Sequence, residues 1–176
     1  MNVRTILAFL LFLNVTQVVV VSGRQPTSAR ESPRQEPVVK TAKQNTFLTS
    51  TVPPDCYTYS VERGDPNAGP SVTLSKLAAG CKVPWHTHSA NAQVLFVRGT
   101  FQLEMKGQPI QVLTEGSYAY VPANHQHQES CLDGCTYYVI REGAADVHYD
   151  NPAGKEIAPE MALAVVGERL ADAARQ

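Results

Sequence analysis

The chain has 176 residues, 15 lysines and arginines against 16 aspartates and glutamates, and a formal net charge of −1. This length is typical of one globular domain with a sizeable core. The near-zero charge gives no electrostatic reason to expect nucleic acid or an anionic membrane surface as a partner.

The N-terminus is typical of a secretory signal peptide. One arginine precedes a run of mostly apolar residues that ends near Gly23, where cleavage is acceptable. The polar residues Asn14, Thr16 and Gln17 interrupt this run and weaken the alternative of an uncleaved membrane anchor. We therefore predict a signal peptide over residues 1–23, no stable membrane span after cleavage, and a secreted or periplasmic location.

After the predicted signal peptide, the sequence is first polar and irregular, and it then takes on the pattern of β-strands. Residues 24–46 contain prolines and lack periodicity, which predicts a disordered linker. Short apolar segments separated by glycines follow, at the spacing of an all-β sandwich or barrel. Phe101, Leu103 and Met105 alternate with polar residues, which indicates a half-buried strand. The predicted strands are residues 56–61, 71–79, 94–97, 100–105, 110–113, 117–121 and 136–140.

Four cysteines, an even number in an exported chain, indicate a disulfide framework. Gly134 permits a tight turn in which Cys131 and Cys135 can meet, which leaves Cys56 with Cys81. Three pairings are possible from the sequence, and this is the most economical one. A cysteine zinc site is disfavoured because C-x3-C with one distant pair is poor zinc spacing.

The tail changes to helical periodicity. Pro159 suits the first position of a helix, and the residues after it are rich in alanine, leucine and glutamate. Leu163, Val166 and Leu170 recur on one helical face. We predict a C-terminal α-helix over residues 158–176 that packs on the barrel or on a partner.

Four of the five histidines form two H-x-H pairs, His86 with His88 and His125 with His127. Residues two apart on a strand point to the same face, so each pair can aim both imidazoles at one point. A lone histidine is usually structural, whereas two such pairs indicate a metal site.

These residues resemble the two motifs of the cupin superfamily, G-x5-H-x-H-x3,4-E-x6-G and G-x5-P-x-G-x2-H-x3-N. Both motifs occur in the right order, and the resemblance covers residues 70–140. Flanking segments are similar to a subgroup of small bacterial single-domain cupins. The matching residues are Gly80, His86, His88 and Gly99 in the first motif, and Gly116, Pro122 and His127 in the second.

The resemblance implies an all-β fold, the cupin double-stranded β-helix or jelly-roll barrel, here over residues 47–157 and followed by the C-terminal α-helix. It also implies a divalent metal at the mouth or centre of the barrel. By position, His86, His88 and His127 should be the metal ligands. His125 has no standard ligand role in the family and is expected to support a ligand or to form part of the pocket wall.

The chain departs from the first motif at the metal-binding glutamate. Spacing puts Ala92 at that position, with Gln93 as the neighbouring candidate on the opposite face of the strand. Glu129 could substitute if the strand continues beyond His127, and Gln93 could supply an amide oxygen through a β-bulge. Asn124 replaces a glycine of the second motif, a mild change because asparagine tolerates positive φ.

A site of three neutral imidazoles can hold a catalytic metal with an open position. The loss of the carboxylate favours Zn, Ni, Cu or Fe over Mn, although the metal identity stays open. The arrangement is similar to the three-histidine sites of thiol dioxygenases. The leading hypothesis is an exported metal-dependent small-molecule oxygenase, and the alternative is a non-catalytic cupin module that binds a small ligand or metal. Analogy with cupins also makes a homodimer an open expectation.

Overall fold

A computed structural model describes residues 36–50 and 56–164 of this chain. The predicted signal peptide, residues 24–35 of the predicted linker, and the predicted helix from residue 165 onward lie outside the described residues. Within the described ranges, none of the helices has the length and apolar character needed to cross a bilayer.

The described residues are mostly β-strands, followed by a short C-terminal helix, so the predicted all-β fold with a terminal helix is confirmed. Short strands bounded by glycine and proline turns produce this architecture. The elements are the 3-10 turn Ala42–Gln44, β1 Leu48–Thr49, β2 Tyr57–Gly64, β3 Ser71–Leu77, β4 Lys82–Thr87, β5 Ala92–Arg98, β6 Phe101–Met105, β7 Gln111–Leu113, β8 Tyr118–Val121, β9 His127–Cys131, β10 Cys135–Arg141, β11 His148–Tyr149, and helical residues 159–164.

The strands form two antiparallel sheets. One sheet has the strand order β1-β2-β3-β10-β5-β8, and the other has the order β11-β4-β9-β6-β7. Neighbours in space are often distant in sequence, as when β10 lies between β3 and β5. This chain path is that of a jelly-roll barrel, with the core between the inner faces of the two sheets.

Alternating residues on the inner faces fill one end of the barrel with aromatic rings. Phe96, Phe101 and Tyr137 have ring centroids between 4.8 and 5.3 Å apart. Each is at most 4% exposed. The register of β10 on β5 puts Arg141 opposite Ala92, several residues from this aromatic cluster along both strands. The opposite end of the barrel therefore has a different, more polar interior.

Two disulfides hold strand ends together, with the pairing that was most economical from the sequence. Cys131 at the end of β9 is joined to Cys135 at the start of β10. Cys56, which precedes β2, is joined to Cys81, which precedes β4. The described residues contain no free cysteine. Two disulfides fit an oxidising compartment.

Part of the predicted linker has ordered contacts with the barrel. The Lys40 ammonium donates hydrogen bonds to the Ser60 hydroxyl at 3.1 Å and to the Val61 carbonyl at 2.8 Å. It also lies 3.4 Å from the Glu62 carboxylate. These partners are about twenty residues away in sequence, so composition alone does not reveal them. Contacts with the barrel therefore include a residue of the predicted linker.

Candidate metal centre

Three histidines meet inside the barrel, in a cavity that Tyr137 of the aromatic cluster also lines. His86 lies on β4 directly opposite His127, the first residue of β9, and His88 follows the end of β4. The ring centroids are separated by 4.1 Å for His86 and His127, 4.8 Å for His86 and His88, and 5.3 Å for His88 and His127. One ring nitrogen from each lies within 4.8 Å of the others.

Backbone carbonyls fix the orientation of all three rings. In each ring, Nδ1 is bonded to a main-chain carbonyl oxygen, so Nδ1 carries the proton and donates it. The other nitrogen, Nε2, is then left as a lone-pair donor, the state in which histidine binds metals. The accepting carbonyls are those of Pro84 for His86 (2.7 Å), His125 for His127 (2.9 Å) and Asp146 for His88.

The surroundings keep the three imidazoles neutral. Burial lowers the pKa of His127 to about 4. Burial, followed by the positive charge of Arg141, lowers the pKa of His88 to about 3. The pKa of His86 is well below its usual value, because of burial first and then the neighbouring His127 and His88. Neutral rings at physiological pH are available as ligands without first losing a proton.

A carboxylic acid lies beside the histidines. The Oε1 atom of Glu129 is 3.8 Å from Nε2 of His127, and its side chain is 15% exposed. Both residues are on β9, two positions apart, so they share one face of the strand. Burial raises the pKa of Glu129 to about 7, although the charge of Arg141 partly opposes this.

The structure separates the other candidates for the missing carboxylate position. Ala92 is buried and lines the cavity that contains the three histidines. Gln93 lies on the opposite face of β5, where its amide oxygen accepts a hydrogen bond from the Tyr118 hydroxyl at 3.3 Å. Tyr118 is 57% exposed, so this contact is on the outer surface. Of these two candidates, Glu129 therefore lines the histidine cavity beside His127, and Gln93 does not.

His125 is not part of the cluster, although it belongs to an H-x-H pair. It lies in the turn before β9, so the alternation of a strand does not apply to it. Its ring lines a separate cavity of about 330 Å³ with Met105 and Leu113. Its Nε2 is buried and has no hydrogen-bond partner. Its carbonyl, by contrast, orients His127.

The cavity contains residues that the sequence patterns did not single out. It has a volume of about 70 Å³, and Tyr57, Tyr137 and Arg141 line it together with the histidines and Glu129. The predicted strand 136–140 stopped one residue before Arg141. Continuing the period of two from Tyr137 through Val139 would have placed Arg141 on the inner face.

The donor set fits a transition metal. Ligand atoms that share one ion at about 2.1 Å lie roughly 3 to 4 Å from one another. The separation of 3.8 Å between Glu129 and His127 is within this range, and the histidine nitrogens are close to it. Imidazole nitrogen suits Zn, Cu, Fe and Ni.

A second cluster, formed by Cys131, Asp133 and Cys135, does not fit a metal because both sulfurs are in a disulfide.

The sequence and the fold both match known proteins. Residues 36–145 match the family described as ChrR Cupin-like domain. An RmlC-like cupin from Ralstonia eutropha is 21% identical, with a TM-score of 0.53 over 67% of this chain and 74% of that chain. An RmlC-like cupin from Shewanella frigidimarina is 18% identical, with a TM-score of 0.53 over 61% of this chain and 91% of that one.

A third similar chain comes from the crystal structures of the DMSP lyases RdDddP and RnDddQII. It is 20% identical, with a TM-score of 0.52 over 61% of this chain. The present chain spans 63% of the length of that lyase chain. No curated protein sequence matches this chain. At such identities the structural likeness shows the jelly-roll fold and does not extend to activity.

Proposed function

This chain belongs to the ChrR cupin-like domain family, and from that premise we propose that it binds a divalent transition metal through His86, His88 and His127. One observation carries the proposal. All three imidazoles donate Nδ1–H to a backbone carbonyl, and this leaves three Nε2 lone pairs in one cavity. Three buried imidazoles oriented in this way have no evident structural purpose, because their own hydrogen bonds to the backbone are already made.

The residues around the histidines have separate roles in this proposal. Glu129 is a candidate fourth ligand, because its carboxylate is on the same face of β9 as His127. A bound transition metal would supply Lewis acidity and, in the case of iron, redox chemistry. The apolar walls formed by Val94, Val121 and Val139 exclude water from the rings. Nitrogen donors favour Zn, Ni, Cu or Fe over Mn.

We further propose that the centre acts on a small molecule, with an oxygenase reaction as the first activity to test. A metal held by three protein ligands that face a cavity keeps coordination positions open for other molecules, as is typical of catalytic sites. In structural zinc sites, by contrast, four protein ligands fill the coordination sphere. A non-catalytic binding module is the second candidate, because Ala92 occupies the position of the usual carboxylate ligand.

Metal analysis tests the site. The protein, purified without a histidine tag and reconstituted with Zn²⁺, Fe²⁺ or Ni²⁺, should retain one metal ion per chain. His88→Ala should abolish this binding. His125→Ala is the matched control, since it removes a nearby imidazole outside the cluster. If the wild-type chain retains no metal, or if both variants lose it equally, the proposed ligand set is wrong.

Oxygen consumption separates the two candidate functions. The iron-loaded protein is mixed with a panel of thiols and phenols, and uptake of dioxygen is followed with an electrode. Consumption that depends on substrate and disappears in His88→Ala supports an oxygenase. Tight binding of a panel member without turnover supports the binding module.

Export is also part of the proposal. The two disulfides fit an oxidising compartment, and the N-terminal sequence is typical of a signal peptide. N-terminal sequencing of the protein expressed with its full N-terminus should show a mature chain that starts after Gly23. An intact N-terminus in the cytoplasmic fraction would contradict export.

A further inference from the structure

Arg141 is a charged residue in the cavity that has no ion-pair partner within residues 36–50 and 56–164. It is the last residue of β10, and it lines the cavity together with the three histidines and Glu129. Its Nε is buried and makes no hydrogen bond. Among the described residues, none of the ion pairs involves Arg141.

This arrangement is costly for the protein alone. An arginine keeps its charge at any physiological pH. A buried N–H group without a hydrogen bond destabilises a fold, and the Nε of Arg141 is such a group. Glu129 interacts with Arg141 only through longer-range electrostatics, because the two side chains are farther apart than the 4.0 Å of an ion pair. A guanidinium with an unpartnered Nε in the lining of this cavity indicates a partner that is supplied from outside the chain.

We propose that Arg141 anchors the carboxylate of a small organic acid, whose other end faces the three histidines. The Nε edge of a guanidinium offers two parallel N–H donors, which match the two oxygens of a carboxylate. The inference names the class of ligand for the proposed metal centre. It rests on the proposed function in one respect, namely that a metal is bound to the histidines.

Charge and size support a carboxylate. A divalent ion and Arg141 would bring three positive charges into the cavity, and an ionised Glu129 would offset only one of them. An anion is therefore the complementary ligand. The cavity of about 70 Å³ is small, which favours a small anion over a bulky one.

Titration with acetate, acetamide and inorganic phosphate tests the proposal. Each probe is added by calorimetry to the full mature chain, both metal-free and zinc-loaded. Acetate should bind, while its neutral analogue acetamide should bind at least tenfold more weakly. Equal binding of acetate and acetamide, or of acetate and phosphate, would overturn the carboxylate assignment.

Substitutions assign the binding to Arg141. Arg141→Met should weaken acetate binding at least tenfold, and Arg141→Lys, which keeps the charge but loses the paired donors, should have an intermediate effect. Arg98→Met is the matched control, because Arg98 is exposed on β5. Unchanged acetate binding in Arg141→Met would overturn the proposal.

Two further measurements separate this proposal from the metal site and from a structural role. Zinc content should be the same in wild type and Arg141→Met. If the wild-type chain binds no zinc, the proposed metal function is wrong. The proposal for Arg141 is then decided separately, by acetate binding to the metal-free chain. The melting temperature of the metal-free Arg141→Met protein should be unchanged or higher, because a half-buried charge without an ion-pair partner is removed. A lower melting temperature together with unchanged acetate binding would show a purely structural arginine.

Discussion

At the scale of single residues, the three histidines reach the cavity through different backbone constraints. His86 and His127 face each other across the paired strands β4 and β9. His88 lies beyond the end of β4, and its ring is oriented by the carbonyl of Asp146, which is 58 residues away in sequence. The main chain of Asn124 also donates a hydrogen bond to the His88 carbonyl at 2.8 Å. The position of His88 therefore depends on two loops, whereas the other two positions depend on a strand pair.

Restoring the missing carboxylate should change the metal preference. Ala92 lines the cavity, so Ala92→Glu would place a carboxylate beside the histidines. A negatively charged oxygen ligand favours hard cations, and we expect the affinity for Mn²⁺ to rise at least tenfold. Gln93→Glu is the matched control, because that side chain faces the outer surface. Competition of Mn²⁺ with Zn²⁺, followed by metal analysis, measures the change. The same Mn²⁺ affinity in both variants would show that position 92 does not face the metal.

The turn before β9 depends on a residue with positive φ. Asn124 has a φ of 59° and replaces a motif glycine. Asn124→Gly should therefore be close to neutral in stability. Asn124→Val should destabilise the protein by about 1–2 kcal/mol, because a β-branched residue tolerates the left-handed region poorly. Urea unfolding measures both changes. Ala123→Val, at a neighbouring position without positive φ, is the control. Equal losses in the two valine variants would mean that backbone strain is not the cause.

At the scale of secondary structure, the sequence patterns predicted the strands that carry the core better than those that carry the site. Strands β5, β6, β8 and β10 are rich in apolar and aromatic residues that alternate between buried and more exposed positions, and their prediction is confirmed to within two residues at each end. Strand β9 has the sequence HQESC, which shows no apolar alternation. Its inner face is polar because it holds His127 and Glu129. A polar inner face removes the pattern on which strand prediction depends.

The cupin resemblance added what periodicity could not show. It singled out His127 over His125, and the structure brings His127 but not His125 to the first histidine pair. The choice of substitute for the missing carboxylate required the three-dimensional register, since Gln93 and Glu129 were both open from the sequence. Arg141 was missed because motifs contain no information about an isolated residue at the end of a strand.

The two disulfides should differ in their contribution to stability. Cys56 and Cys81 close a loop with a sequence separation of 25, whereas Cys131 and Cys135 are separated by 4. Loop-closure entropy predicts roughly 3.5 kcal/mol for the longer loop and roughly 2 kcal/mol for the shorter one.

Double alanine variants isolate each bridge. Each variant retains one disulfide, and its urea unfolding is measured after refolding with and without a reductant. The difference between the two free energies of unfolding is the contribution of the remaining disulfide. Both measurements are made on the same variant, so the effect of the substitutions on packing cancels. A variant without any cysteine controls for direct effects of the reductant. A larger loss for the bridge between Cys131 and Cys135 would contradict the entropic account.

At the scale of the whole molecule, the barrel combines an apolar end with a polar end in one interior. The aromatic cluster stabilises the fold by burial. The same low-polarity interior makes charge unfavourable at the histidine end, which is why burial is the leading cause of the shifted pKa of each histidine. The stability of the protein is therefore linked to pH, and the linkage has a definite sign.

The metal-free protein should lose stability as the pH falls from 6.5 to 4.5. The pKa values of His86, His88 and His127 are lower in the folded chain than in the unfolded chain, where histidine has its usual value of 6.5. In this range the unfolded chain binds three protons that the folded chain excludes, so acid favours unfolding. Glu129 has the opposite effect, because its folded pKa of about 7 exceeds its usual value of 4.5 and the folded chain holds the proton.

Three histidines against one carboxylic acid leave a net uptake of two protons on unfolding. Each proton corresponds to about 1.4 kcal/mol per pH unit, so the free energy of unfolding should fall by at most about 2.7 kcal/mol per pH unit. Urea unfolding in a chelating buffer, repeated between pH 7 and 4.5, measures this slope. Glu129→Gln removes the opposing acid and should make the slope steeper, whereas His127→Ala should make it shallower. A flat profile in wild type, or a shallower one in Glu129→Gln, would mean that these groups are not held neutral by the barrel interior.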